Sequence, residues 1–185
     1  MKDSLLLLSN FIKNPKEVGA VAPSSKFLTR EIIKHINFKT SKVIVELGPG
    51  VGTFTKAILA KAKPNAKLFC FEVNKNFCSY LAKHIVDKRL VVINAGAEKL
   101  SSNLKSLGIK EIDCVISGLP FRNFSDKTKK KIFKEIKNSL SSNGKFILFQ
   151  YTNELSELLG SHFSRVEKRF VPLNVPPSLV YVCEK

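Results

Sequence analysis

Apolar residues recur along this chain in two rhythms. Short β-branched or aromatic runs stand at 43–47, 68–71, 90–93, 114–116 and 146–149. Runs this short and this continuously apolar fit strands buried on both faces. Between them, at 53–63, 76–86, 101–107 and 126–140, apolar positions fall three and four apart, the spacing of a helix with one buried side. Alternation of strand and helix predicts a parallel sheet covered on both faces. A further helix is expected at 154–162, followed by "RVEKRFVP" and "SLVYVCE". These last two runs lie too close for a helical crossover, so they should pair antiparallel at one edge. The result is an α/β fold with a seven-stranded mixed sheet. Ahead of it, "SLLLLSNFIKNP" reads as a helix capped by Ser4 and stopped before Pro15. A second helix should run from Ser24 or Ser25 to Ile36, with Phe27, Leu28, Ile32, Ile33 and Ile36 on one side. Residues 1–40 thus form a helical extension facing membrane or substrate, and 41–185 the core.

A chain of 185 residues with 44% hydrophobic and 25% charged residues suits one globular domain. Charge changes the picture. Thirty-one Lys and Arg against fifteen Asp and Glu leave +16, which draws polyanions, whether nucleic acid or an anionic membrane face. A merely solvated basic surface is the plainer account. Cys70, Cys78, Cys114 and Cys183 are scattered, as are His35, His84 and His162. They predict buried free thiols and no metal site. No run approaches the eighteen or so apolar residues needed to span a bilayer, so a cytoplasmic protein, free or peripheral, is expected.

Candidate chemistry sits in "VIVELGPGVGTFT", where Gly48, Gly50 and Gly52 follow the first strand. Such a turn is where open α/β sheets bind ligands. The dinucleotide fingerprint G-x-G-x-x-G fails here, because the third glycine comes one residue early and Thr53 takes its place. A phosphate would meet the Glu46 carboxylate and lose the donor that Pro49 lacks. A ligand with a cationic amino-acid end is better matched. Glu72, 24 residues past Gly48 at the end of the second strand, is placed to accept from a ribose diol. An adenosine bearing a cationic tail is S-adenosylmethionine.

The motif "VELGPGVGTFT" resembles the first motif of class I S-adenosylmethionine-dependent methyltransferases. That resemblance implies a Rossmann-like core in which Glu46, Gly48, Pro49, Gly50 and Gly52 surround the methionine part. It places Glu72 on the ribose and Val73 under the adenine. Relatives often carry Gly-Asp-Ala after the third strand, with the Asp accepting the adenine amine. Here "VVINAGAEKL" has Gly96 at that place, leaving the Ala97 N–H and the Glu98 carboxylate to serve adenine. "DCVISGLPFRNF" follows the fourth strand, where base-methylating relatives hold Asn-Pro-Pro-Tyr or Asn-Leu-Pro-Tyr. By that likeness Ser117 lies at the cofactor, and Leu119, Pro120 and Phe121 face the substrate, Phe121 keeping an aromatic surface. A plain turn is the structural alternative.

Over the whole length, "FIKNPKEVGAVAPSSKFLTREI", "VELGPGVGTFT", "SGLPF" and "NVPPSLVYV" resemble bacterial phosphatidylethanolamine N-methyltransferases. Ribosomal RNA adenine dimethyltransferases share a related "FLT" helix and "NLPY" turn, but usually add a C-terminal helical domain that is not expected in 185 residues. The resemblance implies methyl transfer to a phospholipid amine at the inner membrane face. RNA adenine methylation and a non-catalytic binding protein are the rivals. The helix at 4–15, with Leu5, Leu8 and Ile12 on one stripe and Lys2, Lys13 and Lys16 at its ends, could lie in the headgroup region or pack on the sheet. In "DKTKKKIFKEIKNSL" six lysines should cover the side of a helix opposite Ile132, Phe133, Ile136 and Leu140. No obligate protein partner is indicated. No side chain stands out as catalytic base; water or the Tyr151 oxygen is left to take the amine proton.

Overall fold

The computed structural model describes residues 24–185, so the helix expected at 4–15 lies outside the described residues. Helix α1 is Lys26–Ile33, capped by Ser25, whose hydroxyl accepts from the Leu28 N–H. Then come β1 (Val43–Leu47), α2 (Thr53–Leu59), β2 (Lys67–Phe71), α3 (Lys75–His84), β3 (Leu90–Ile93) and α4 (Leu100–Ser106). The chain continues through β4 (Ile112–Ser117), α5 (Asp126–Ser139), β5 (Leu140–Gln150), α6 (Ser156–Gly160), β6 (Arg165–Val171) and β7 (Ser178–Glu184).

The seven strands form one sheet in the order β3-β2-β1-β4-β5-β7-β6. The first five are parallel; β7 runs antiparallel to both β5 and β6. This is the expected Rossmann-like mixed sheet. Leu47 pairs with Phe71 on one side and Ser117 on the other, and Ser117 pairs with Leu148. The carboxyl ends of the parallel strands therefore share one rim, and strand order reverses between β1 and β4, the place where such sheets open a crevice.

Successive residues of each strand face opposite layers. Val45, Leu47, Phe69, Phe71, Val115 and Phe146 pack with α4 and α5 on one side. Ile44, Leu68, Cys70, Ile116 and Ile147 pack with α1 and α2 on the other. Leu28 and Ile32 are completely buried there, so α1 is part of this layer. On α5, Ile132, Phe133 and Ile136 are buried as their spacing predicts, and Lys127, Lys130, Lys131 and Lys134 are exposed. Lys129, paired with Asp126, and Lys137 are half-buried, so four of the six expected lysines stand in the open. Cys70, Cys114 and Cys183 are buried, but Cys78 only partly, a correction to the expectation of four buried thiols. Strand β5 starts six residues earlier than its apolar run, because Leu140 already pairs with Ile112 before the register shifts at Cys114.

Candidate active site

The turn after β1 is built from glycine for a backbone reason. Gly48, Gly50 and Gly52 adopt φ of 70°, 55° and 80°, and among the described residues no non-glycine residue has positive φ. An L side chain in that region costs roughly 1–2 kcal/mol. Space adds to the constraint. A Cβ on Gly52 would stand 2.7 Å from both Leu81 and Ile85, and one on Gly48 would stand 3.0 Å from Leu119. The turn after β4 comes as near: a Cβ on Gly118 would lie 3.0 Å from the Gly48 carbonyl, and the Gly118 N–H donates to Leu47 at 2.9 Å. The two turns meet backbone to backbone.

Two carboxylates stand behind the glycines. Alternation turns Glu46 toward α2, where it is 0% exposed. Its Oε2 accepts from Thr55 Oγ1 at 2.6 Å and from the Cys70 thiol at 3.5 Å, while Oε1 has no partner. Burial pushes this carboxyl up to about 7, and the negative charge of Glu72 adds to the shift. A buried oxygen without a donor is costly on its own and is well suited to a cationic group brought by a ligand. Glu72 is also buried; its oxygens accept from the N–H groups of Gly50 at 3.2 Å and Asn74 at 2.9 Å. The cradle is therefore negative where a phosphate would need donors. It fits a nucleoside with a cationic tail.

The remaining expected residues lie at the close of β4 or on the turns that follow β2, β3 and β4. Val73 is exposed beyond β2, and Ala97 is buried at the start of the 3-10 turn Ala97–Lys99. The Glu98 carboxylate curls back against Gly96 and fills the room that a side chain at 96 would need. Ser117 is buried, and its Oγ accepts from the Leu119 N–H at 3.2 Å, so its hydroxyl holds its own turn. Leu119 and Pro120 are half-buried at the crevice.

Phe121 departs from expectation. Its ring is 0% exposed and packs against Phe124 and Phe133, with centroids 5.7 and 5.1 Å away. The Phe121 N–H donates to the Leu119 carbonyl, and the turn Phe121–Asn123 rolls the ring beneath the sheet's rim. In this conformation it offers no face to a substrate.

Two further residues shape the site. Asn94 Nδ2 donates to the carbonyls of Glu72 at 2.8 Å and Val73 at 3.0 Å, tying the turn after β2 to the turn after β3. Gln150 Nε2 donates to the Leu119 carbonyl at 3.1 Å and steadies the turn after β4 from β5. Each is a polar residue closing an apolar strand run, a signal present in "VVIN" and "ILFQ". Tyr151, just beyond, meets Phe149 edge to face, and burial raises its phenol above the ordinary range.

Comparison with known proteins places this geometry. The model of the family described as ribosomal RNA adenine dimethylase matches residues 10–166. An ornithine lipid N-methyltransferase from Singulisphaera acidiphila is 29% identical over 99% of this chain and 96% of its own. Ribosomal RNA small subunit methyltransferase A from Mesomycoplasma hyopneumoniae is 30% identical over 57% of this chain; the matched part is 38% of that protein. The chain thus spans well under half the length of this ribosomal RNA relative. Among solved structures, precorrin-6y C5,15-methyltransferase from Geobacter metallireducens superposes with a TM-score of 0.73 at 16% identity, over 93% of this chain and 95% of that one.

Proposed function

The chain belongs to the ribosomal RNA adenine dimethylase family of S-adenosylmethionine-dependent methyltransferases, and from that premise we propose that its acceptor is the primary amine of a membrane lipid headgroup. The observation that carries this reading is the inward turn of Phe121. An adenine acceptor is commonly held by stacking on aromatic side chains. The turn after β4 presents aliphatic Leu119 and Pro120 at the crevice instead. A small alkyl amine needs no stacking platform. The near full-length similarity to a lipid N-methyltransferase supports the same acceptor.

S-adenosylmethionine supplies an activated methyl group on a sulfonium. The chain's own residues bind and align. Gly48, Gly50 and Gly52, with Pro49 between them, let the methionine part approach the main chain, and the unpartnered Glu46 oxygen faces its cationic end. Glu72 serves the ribose hydroxyls, Val73 and Ala97 flank the adenine, and Glu98 stands in for the missing acid at 96. Ser117 lies beside the cofactor, its hydroxyl holding the turn after β4, and Leu119 and Pro120 line the substrate side of the crevice. Tyr151 remains a neutral phenol at physiological pH, able to accept a hydrogen bond but not to act as a phenolate base, so the proton lost by the amine passes to solvent water.

Ornithine lipid is the acceptor named for the near full-length relative, and phosphatidylethanolamine is the one that the resemblance of the sequence motifs suggests. The exposed lysines of α5 favour a second reading, an RNA acceptor. Methyl-labelled cofactor offered with phosphatidylethanolamine vesicles, ornithine lipid and total RNA separates them. Label in a lipid amine is expected; label in RNA alone overturns the proposal.

A further inference from the structure

Apolar side chains gather in the open at one corner of the catalytic rim. The loop between β6 and β7, "PLNVPP", exposes Leu173 at 60% and Val175 at 93%. Phe27 at the start of α1 is 44% exposed, and Phe170, one residue before the end of β6, is 65% exposed. Gln150 at the end of β5 pairs with Leu179 at the start of β7. The loop therefore stands on the same edge of the sheet as the glycine turn and the turn after β4.

This loop is held firmly. Asn174 is buried in its centre; its Nδ2 donates to Pro176 O at 2.7 Å and Ser178 Oγ at 3.0 Å, and its Oδ1 accepts from Ser25 N–H at 3.0 Å. Ser25 Oγ donates to the Leu173 carbonyl at 3.0 Å. One polar residue is drawn in, its two aliphatic neighbours are turned out, and the loop is joined to the cap of α1. Cations flank it. Lys26 is exposed with its Nζ 5.4 Å from the centre of the Phe27 ring, and Lys168 and Arg169 are exposed on β6. The nearby acid Glu167 pairs with both Arg165 and Arg169, a trio that keeps one net positive charge, and Lys168 Nζ donates to Asn153 Oδ1 at 3.0 Å.

We propose that the β6–β7 loop, with Phe27 beside it, is an interfacial wedge that enters the headgroup region of an anionic bilayer and sets the catalytic rim against the membrane. It rests on the lipid reading of the function. Apolar tips ringed by basic side chains fit such a surface: the tips leave water while the cations meet anionic headgroups. A nucleic acid would use the cations but leave Leu173 and Val175 in water.

The chain contains no tryptophan, so single reporters can be placed cleanly. Val175→Trp probes the wedge. Val86→Trp is the control, since Val86 is 94% exposed and leads into β3, the strand at the opposite edge of the sheet from β6. With vesicles of phosphatidylglycerol and phosphatidylethanolamine carrying brominated chains, the Val175→Trp emission is expected to shift blue and be quenched, and the Val86→Trp emission to stay unchanged. Leu173→Asp combined with Val175→Asp is expected to weaken vesicle binding more than about tenfold. Methylation of vesicle lipid falls in parallel, while cofactor affinity and methylation of a detergent-dispersed short-chain amino lipid persist. Equal emission of the two reporters on vesicles overturns the wedge, as does wild-type vesicle binding by the double variant. A Val175→Trp signal already shifted without vesicles, or one moved by RNA alone, also overturns it. Failure of the lipid reading itself shows separately, as wild-type protein that does not methylate the dispersed amino lipid.

Discussion

The turn after β1 and the turn after β4 touch each other on one rim, yet they use their polar groups in opposite ways. After β1, three glycines hold left-handed backbone and a buried carboxylate oxygen is left without a donor. After β4, Ser117 and Gln150 direct their polar atoms at the turn's own backbone, and Phe121 goes into the core. The first turn is shaped for a ligand and keeps unmet bonding capacity for it. The second is satisfied within itself and offers a ligand mainly aliphatic surface. A site with this asymmetry recognises its cofactor by specific bonds and its acceptor chiefly by shape and by where the acceptor is delivered.

The contrast breaks most sharply at Phe121. If it is core, Phe121→Ala should cost about 3–5 kcal/mol of stability, as truncation of a buried aromatic does. Denaturant unfolding measures this. A variant as stable as wild type that loses methylation would instead make Phe121 a substrate platform and cancel the asymmetry.

Glu46 tests the other turn by pH. Its folded-state pKa is raised, so folding favours the protonated form. The stability it contributes is complete below the ordinary carboxylate range, near 4.5, and is lost as pH rises through about 7. The difference between those values corresponds to about 3 kcal/mol at pH 8. Glu46→Gln cannot ionise, so its unfolding free energy should stay flat across this window where that of wild type falls. Cofactor binding should move the other way. A cationic ligand end favours ionised Glu46, so binding by wild type should release protons near pH 7 and tighten as pH rises, whereas Glu46→Gln binds weakly throughout. Calorimetry in buffers of different ionisation enthalpy reads the proton release.

At Gly52 the expected effect is smaller but purely conformational. Gly52→Ala places a Cβ at φ 80° and against Leu81 and Ile85, costing about 2 kcal/mol. The terminal methyls of those two residues can swing aside, so backbone strain sets most of the cost. Thermal unfolding measures it, and a fully stable variant would mean that the turn relaxes to ordinary backbone.

The same asymmetry governs how much the sequence reveals. Strand runs such as 43–47 and 90–93 coincide with observed strands because their apolar, β-branched residues pack against both layers, mostly buried in β1 and half-buried in β3 at the edge of the sheet. Glycine at 48, 50 and 52 is readable because only glycine meets that backbone without strain. The orientation of Phe121 was not readable. An aromatic after Gly-Leu-Pro fits a stacking surface and a core plug equally, and the choice depends on Phe124, Phe133 and the 3-10 turn Phe121–Asn123. Asn94 and Gln150 matter through partners 22 and 31 positions away, which no local pattern encodes.

The smallest expected effect lies at Glu98, where the cofactor side departs from the usual pattern. Gly96 leaves no acid at the place where the resemblance would put the adenine acceptor, and the Glu98 carboxylate occupies the room beside it. If that carboxylate is the acceptor for the adenine amine, Glu98→Ala should weaken cofactor binding roughly fivefold, the scale of one hydrogen bond of about 1 kcal/mol, with folding stability unchanged. Gly96→Asp alone should fail to improve binding, because its side chain would meet the Glu98 carboxylate in the same space. In the Glu98→Ala background the room is vacated, and Gly96→Asp should restore affinity. Single substitutions that both leave binding untouched would show that adenine is held by the backbone and Val73 alone, and the first turn's reliance on specific bonds would end at the ribose.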